Sequence, residues 1–112
     1  MTDCLFCKIA AGEIPSDKLY EDDHYFVFND INPQAPTHFL VIPKKHIDKV
    51  ADMTPADSEI VGGLFAVAAK VCEEQSITDY RLVVNNGAGV GQTVFHIHLH
   101  VLAGRALGWP PG

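Results

Sequence analysis

Basic residues are scarce in this chain, with eight Lys and Arg against fourteen Asp and Glu and a formal net charge of −6 with histidine neutral. Binding along a nucleic-acid backbone takes clustered Lys and Arg, so nucleic acid is not an expected partner. A small nucleotide, held by a few local groups, stays open. Long apolar runs are also missing. None approaches the roughly 20 residues that cross a bilayer, and no membrane partner is expected. The first residues show no basic start followed by a long apolar block, so no secretory leader is expected either. Cysteine is limited to Cys4, Cys7 and Cys72. An odd count without a leader reads as a reduced, cytoplasmic chain. No internal repeat, linker or low-complexity tract breaks up the 112 residues, of which 47% are hydrophobic. A single domain spanning residues 1–112 is expected.

The chain is organised around Phe95-His96-Ile97-His98-Leu99-His100-Val101-Leu102. Strict alternation is the period of a β-strand. Ile97, Leu99 and Val101 are expected to face a core, and His96, His98 and His100 the opposite side. At about 3.3 Å per residue the outer two histidines lie roughly 13 Å apart. They cannot act on one atom, which makes His98 the central actor and gives its neighbours other tasks. A single strand histidine is commonly a half-buried residue with a hydrogen bond. Three on one face are costly unless used. Two chemistries fit: a metal held by His-x-His, or nucleophilic attack by an imidazole.

Read in order, Leu5, Phe6 and Ile9 share a helical face that Gly12 can stop. The Cys4-x-x-Cys7 spacing is half of a zinc site, a redox pair, or two unrelated thiols. Leu19–Glu21 and His24–Asn29 read as strands, followed by a proline-rich loop, Asp30 to Pro36. Asp30 sits where functional groups are often displayed. Thr37–Pro43 is a third strand, with Lys44-Lys45-His46 at its exit, the lysines reading as a solvated turn. Thr54-Pro55-Ala56-Asp57 has the form of a helix start. Ile60, Val61, Leu64, Phe65, Ala68, Val71 and Cys72 then recur at helical spacing, predicting a helix over 55–75. Tyr80–Val84 is a fourth strand. Asn85 to Thr93 is glycine-rich but lies between two strands, so it is no dinucleotide fingerprint. Its backbone N–H groups can still converge on an anion. The tail around Trp109 is too proline-rich for helix and suits a partner contact. Helix, three strands, long helix, two strands predicts an α+β fold, an antiparallel sheet with segregated helices.

These residues resemble a known family. His96-Ile97-His98-Leu99-His100-Val101-Leu102 matches the full histidine triad pattern, and nearly the whole chain is similar to the Hint branch, the purine nucleoside phosphoramidases. Asp30 to His38, Gly91-Gln92-Thr93 and Trp109-Pro110-Pro111-Gly112 carry the likeness further. The resemblance implies a five-stranded antiparallel sheet with one long and one short helix. It also implies a homodimer whose sheets run together, binding an AMP-like purine nucleotide in each protomer. It puts the nucleophile on His98 and the phosphate-side histidines on His100 and His38. Asp30 falls at the ribose and Ile31 beside the base. Asn85, Gly91, Gln92 and Thr93 fall on the phosphate side, and Leu5, Phe6, Ile9, Phe28 and Leu40 on or near the purine pocket. Thr93 replaces the serine of many Hint members, keeping the hydroxyl and adding a methyl. Cys4 and Cys7 are a larger departure. Animal Hint proteins lack them, whereas mostly microbial members of the superfamily bind zinc through such a pair and two histidines. The corresponding set is Cys4, Cys7, His46 and His96, a closed structural zinc site, with no organic cofactor implied. The implied reaction is hydrolysis of a nucleoside 5′-phosphoramidate through a nucleotidyl-histidine. A dinucleoside polyphosphate hydrolase, a nucleotidyl transferase and a nucleotide-binding scaffold with little turnover are the rival readings.

Overall fold

In the computed structural model, which describes residues 3–112, five strands form one antiparallel sheet. A short helix α1 (Leu5–Ala10) comes first, then β1 (Lys18–Glu21), β2 (Tyr25–Asn29) and β3 (Thr37–Pro43). The long helix α2 (Ser58–Glu74) follows, then β4 (Arg81–Val83) and β5 (Leu99–Ala103). The spatial order is β1-β2-β3-β5-β4, so β5 lies between β3 and β4. Among the described residues no helix is long and apolar enough to cross a membrane.

Alternation in the strands sorts the core into two layers. Tyr25, Val27, Phe39, Val41, Leu99 and Val101 face Leu64, Val67, Ala68, Val71 and Cys72 of α2. The intervening Phe26, Phe28, Leu40 and Ile42 pack with Phe6 and Ile9 of α1. The two helices therefore cover opposite faces instead of sharing one. Cys72 is core packing, as expected for a thiol on that stripe. Phe65 is not: it is 46% exposed, and Val67 takes the buried place expected of it.

Local chemistry sets the element ends. Gly12 stops α1 with φ +80°, open to glycine at little cost. The expected helix start at Thr54 is a separate 3₁₀ turn, Pro55–Asp57, before α2 begins at Ser58. Thr54 N–H donates to Asp57 Oδ2 at 2.9 Å. Asp57 is buried and pairs with Lys45, which stays exposed as expected of that turn while neutralising a buried carboxylate. That pairing holds the Asp57 carboxyl below its usual range.

The histidine strand is shorter than its sequence. β5 begins at Leu99, and residues 95–98 are irregular. Ile97 N–H donates to Ile47 O at 2.7 Å, the His96 ring to Pro43 O at 2.7 Å, and the His98 ring to His96 O at 2.8 Å. Backbone groups that a longer ladder would need are taken, and pairing with β3 ends at Val41 opposite Leu99.

At Gly63 of α2 a side chain would meet the Tyr25 hydroxyl, which donates to Ile60 O at 2.6 Å. Gly63→Ala is expected to destabilise the fold by about 2 kcal/mol, the scale of overpacking. Adding Tyr25→Phe, which removes the clashing oxygen, should recover part of the loss in urea unfolding.

Candidate functional site

Two side-chain clusters lie end to end on the α1 face, one around His96 and the other around His98 and His100. Cys4 caps α1, its Sγ accepting from Cys7 N–H at 3.3 Å. The next turn brings Cys7 beside it. His46 follows β3 and His96 precedes β5, so adjacent strands deliver both rings to the pair of thiols. The Cys4 Sγ to His96 Nδ1 distance is 3.3 Å, Cys7 Sγ to His46 Nδ1 3.3 Å, and the two Nδ1 atoms are 3.2 Å apart. A tetrahedral ion with ordinary zinc bond lengths sets N and S ligands roughly 3.3–3.6 Å apart. The rings are oriented for the same role. His96 Nε2–H donates to Pro43 O, and His46 Nε2–H to Asp48 Oδ1 at 2.6 Å. Both Nδ1 lone pairs then point inward, the usual outer-sphere arrangement of ligating histidines. Burial and the neighbouring Cys4 push the Cys7 thiol up to about 11, and burial pushes the His96 imidazole down to about 4. The four residues fit a structural zinc.

The second cluster borders a cavity of about 350 Å³. Its apolar wall is Leu5, Phe6, Ile9, Phe28 and Leu40; Asp30 and Ile31 stand on one side, Thr93 on another, with His98 and His100 beside them. Ile31 is 98% exposed, an apolar side chain that none of the described residues covers. Phe6 packs edge-on against the His98 ring, centroids 5.0 Å apart. His98 Nδ1–H donates to His96 O, so its Nε2 keeps a free lone pair. Gln34 N–H donates to His38 Nδ1 at 3.0 Å. Neutral His38 then carries its hydrogen on Nε2, which lies 2.9 Å from His100 Nδ1 and 3.4 Å from Asp30 Oδ2. His100 accepts there and bears its own hydrogen on Nε2. Asp30, His38 and His100 are close enough to share a cation, but the His38 hydrogen occupies that space, which makes the trio a hydrogen-bonded chain. Burial lowers the proton affinity of His98 and His38 and brings His100 down to about 4. All three rings are neutral near pH 7.

The remaining expected site residues lie outside the cavity wall. His38 stands behind His100. Asn85 and Gly91 are in the loop beyond Thr93, with Gly91 at φ +107°. Gln92 is 2% exposed. Its side chain accepts from Gly87 N–H at 2.8 Å and donates to Asp48 O at 2.9 Å and Val94 O at 3.1 Å. It braces the glycine loop against the His46 segment, and its backbone N–H is taken as well, donating to Gly87 O at 3.1 Å. Ile14, Pro15 and Ser16 also wall the cavity. They lie on the link from α1 to β1, which must cross the face that α1 covers. Asp48, which orients His46, carried no signal in the sequence.

A family model described as scavenger mRNA decapping enzyme C-term binding matches residues 3–108. A HIT-like protein of Synechocystis sp., itself uncharacterized, is 51% identical over 111 residues, covering 98% of this chain and 97% of its own. The crystal structure of a HIT family hydrolase from Legionella pneumophila superposes with a TM-score of 0.95 at 50% identity, covering 98% of this chain and 100% of that one. A histidine triad protein from Clostridium difficile superposes at 0.93 with 47% identity, covering 96% of each chain.

The depressed His100 has a measurable consequence. An unfolded histidine binds its proton near pH 6.5, whereas the folded ring holds out to about 4. Between those values the unfolded state binds more protons, so stability present above pH 6.5 is lost as the pH falls. Discounted for partial exposure, the loss between pH 7 and 5 is about 1 kcal/mol. Urea unfolding of His100→Asn at the two pH values should show a pH-dependence smaller by that amount.

Proposed function

The chain belongs to the histidine triad superfamily, and from that premise we propose that it hydrolyses purine nucleoside 5′-phosphoramidates to a nucleoside monophosphate and an amine. One observation carries the reading: the His98 ring borders the cavity with its hydrogen committed to His96 O. A neutral imidazole held in that tautomer is a ready nucleophile. His98 Nε2 attacks phosphorus, the P–N bond to the amine breaks, and a nucleotidyl-histidine forms. Water then attacks phosphorus and returns His98. The His100 Nε2–H is available to the phosphoryl oxygens, backed by His38, and the Thr93 hydroxyl lies at the same rim. An amine leaves poorly unless protonated. A bound phosphoryl anion raises the proton affinity of the nearby imidazoles, so the proton it needs is taken up with the substrate. Phe6, Ile9, Phe28 and Leu40 offer an apolar slot for the base, with Ile31 as an uncovered flank, and Asp30 is an acceptor for ribose hydroxyls.

The same proposal includes a structural zinc on Cys4, Cys7, His46 and His96. A closed set of four ligands leaves no position for a substrate, so the ion would supply a crosslink, fastening α1 to the segments around β3 and β5. It also includes a homodimer. β4 is an edge strand, and Trp109 is 81% exposed, with the Arg81 guanidinium 5.8 Å from its ring centre. Three unpaired thiols suit a reducing, cytoplasmic setting.

The test is a kinetic comparison of adenosine phosphoramidate with a diadenosine polyphosphate. Preference for the former is expected. His98→Ala should lower its turnover by roughly three orders of magnitude or more, the scale of losing a covalent catalyst, while AMP still binds in calorimetry. Rapid quench should trap an acid-labile phosphorus–nitrogen adduct on His98. Equal or faster cleavage of the polyphosphate would overturn the substrate assignment. Tight AMP binding without turnover of either would replace an enzyme with a binding protein.

The metal has its own test. Elemental analysis of the purified protein should give about one zinc per chain, and Cys7→Ser should abolish it and lower the thermal midpoint. Protein isolated without metal, and indifferent to chelator in thermal unfolding, would remove the ion from the proposal.

A further inference from the structure

On the Nδ1 side of His38, one backbone donor, the N–H of Gln34, keeps the ring hydrogen on Nε2. Gln34 belongs to the proline-rich loop that also carries Asp30 and Ile31, and that loop is held from outside. Arg105, just past β5, places its guanidinium on Gln34 O, with Nη2 at 2.9 Å and Nε at 3.3 Å, while Nη1 donates to Ala106 O at 3.0 Å. The neighbouring Gly104, at φ +95°, lets Pro36 pack so closely that an added Cβ would lie 2.8 Å from Pro36 Cβ. Both contacts fall directly beyond the last pair of the β3–β5 ladder, Thr37 opposite Ala103. The site as described does not use Arg105: it is absent from the cavity wall, and its side chain is exposed.

We propose that Arg105 is a positioning residue that latches the Asp30–Pro36 loop so that Gln34 keeps its N–H on His38 Nδ1. The His38 hydrogen then stays on Nε2, His100 accepts it at Nδ1, and His100 presents its own Nε2–H to the substrate phosphoryl group. If Gln34 swings away, the His38 hydrogen can move to Nδ1. His38 Nε2 then becomes an acceptor facing His100, and His100 must turn its donor inward, away from the phosphate. A forked guanidinium on a single carbonyl fixes direction as well as distance, which an ammonium does not. The consequence for turnover rests on the phosphoramidase reading; the consequence for the rings does not.

Long-range ¹H–¹⁵N spectra of the full chain labelled in histidine report the tautomer of each ring without substrate. In the unaltered protein His38 should appear as a single Nε2–H tautomer. In Arg105→Ala its two nitrogens should shift toward averaged values, and Arg105→Lys should fall between. Circular dichroism and thermal unfolding identify any variant that fails to fold, and Arg105→Lys keeps the question answerable if the alanine variant does. With adenosine phosphoramidate as the probe, kcat should fall about three- to ten-fold in Arg105→Ala, the worth of one modest hydrogen bond, with KM changing less. A folded variant whose His38 stays in one Nε2–H tautomer would overturn the proposal, as would averaged tautomers with kcat unchanged. If the protein does not cleave phosphoramidates at all, the function proposed above fails, and the spectra still decide whether Arg105 sets the tautomer.

Discussion

The hydrogen bond from His98 Nδ1 to the carbonyl of His96 organises more of this molecule than any other contact. It takes a backbone acceptor from the path of β5, and the strand starts at Leu99, one residue after the middle histidine. It fixes which nitrogen of His98 is basic. The same bend sends the His96 ring in the other direction, where Pro43 O orients it toward Cys4 and Cys7. One irregular stretch therefore faces two chemistries, a ligand set on one side and a nucleophile on the other. Phe6 sits between them, edge-on to His98 at 5.0 Å and to His96 at 6.0 Å.

The fold was legible wherever packing follows a period. Alternation in β2 and β3 sorted the side chains between α2 and α1, and the start and stop chemistry at Thr54 and Gly12 lay where the chain turns. What could not be read were bonds between distant segments. Nothing near residue 97 announces that Ile47 O will claim its N–H, and nothing near Lys45 announces a buried carboxylate twelve residues on. Phe65 fits the helical stripe, but period alone does not say how wide a strip of α2 the sheet can cover.

The candidate site divides in the same way. Residue types with steep chemical requirements, the histidines and the Cys-x-x-Cys pair, were visible from spacing and resemblance. Residues that act through amides or backbone were not. Gln92 was expected on the phosphate side through the resemblance and its backbone N–H, yet that N–H donates to Gly87 O and three further bonds turn its side chain into the protein. Arg105 drew no attention because an exposed arginine after a strand is ordinary; its partner is the carbonyl of Gln34, a residue 71 positions away.

The placement of β5 bears on how the chain comes off the ribosome. Every other strand and helix precedes it, yet it fills the gap between β3 and β4. Until it emerges, β3 offers an open edge with Phe39 and Val41 on one face, and β4 has no neighbour to pair with. The nascent chain must therefore carry an unfinished sheet, with α2 already made, until β5 is synthesised. Such open edges invite pairing with other chains. Both histidine clusters therefore come into being only once residues 96–103 have been made.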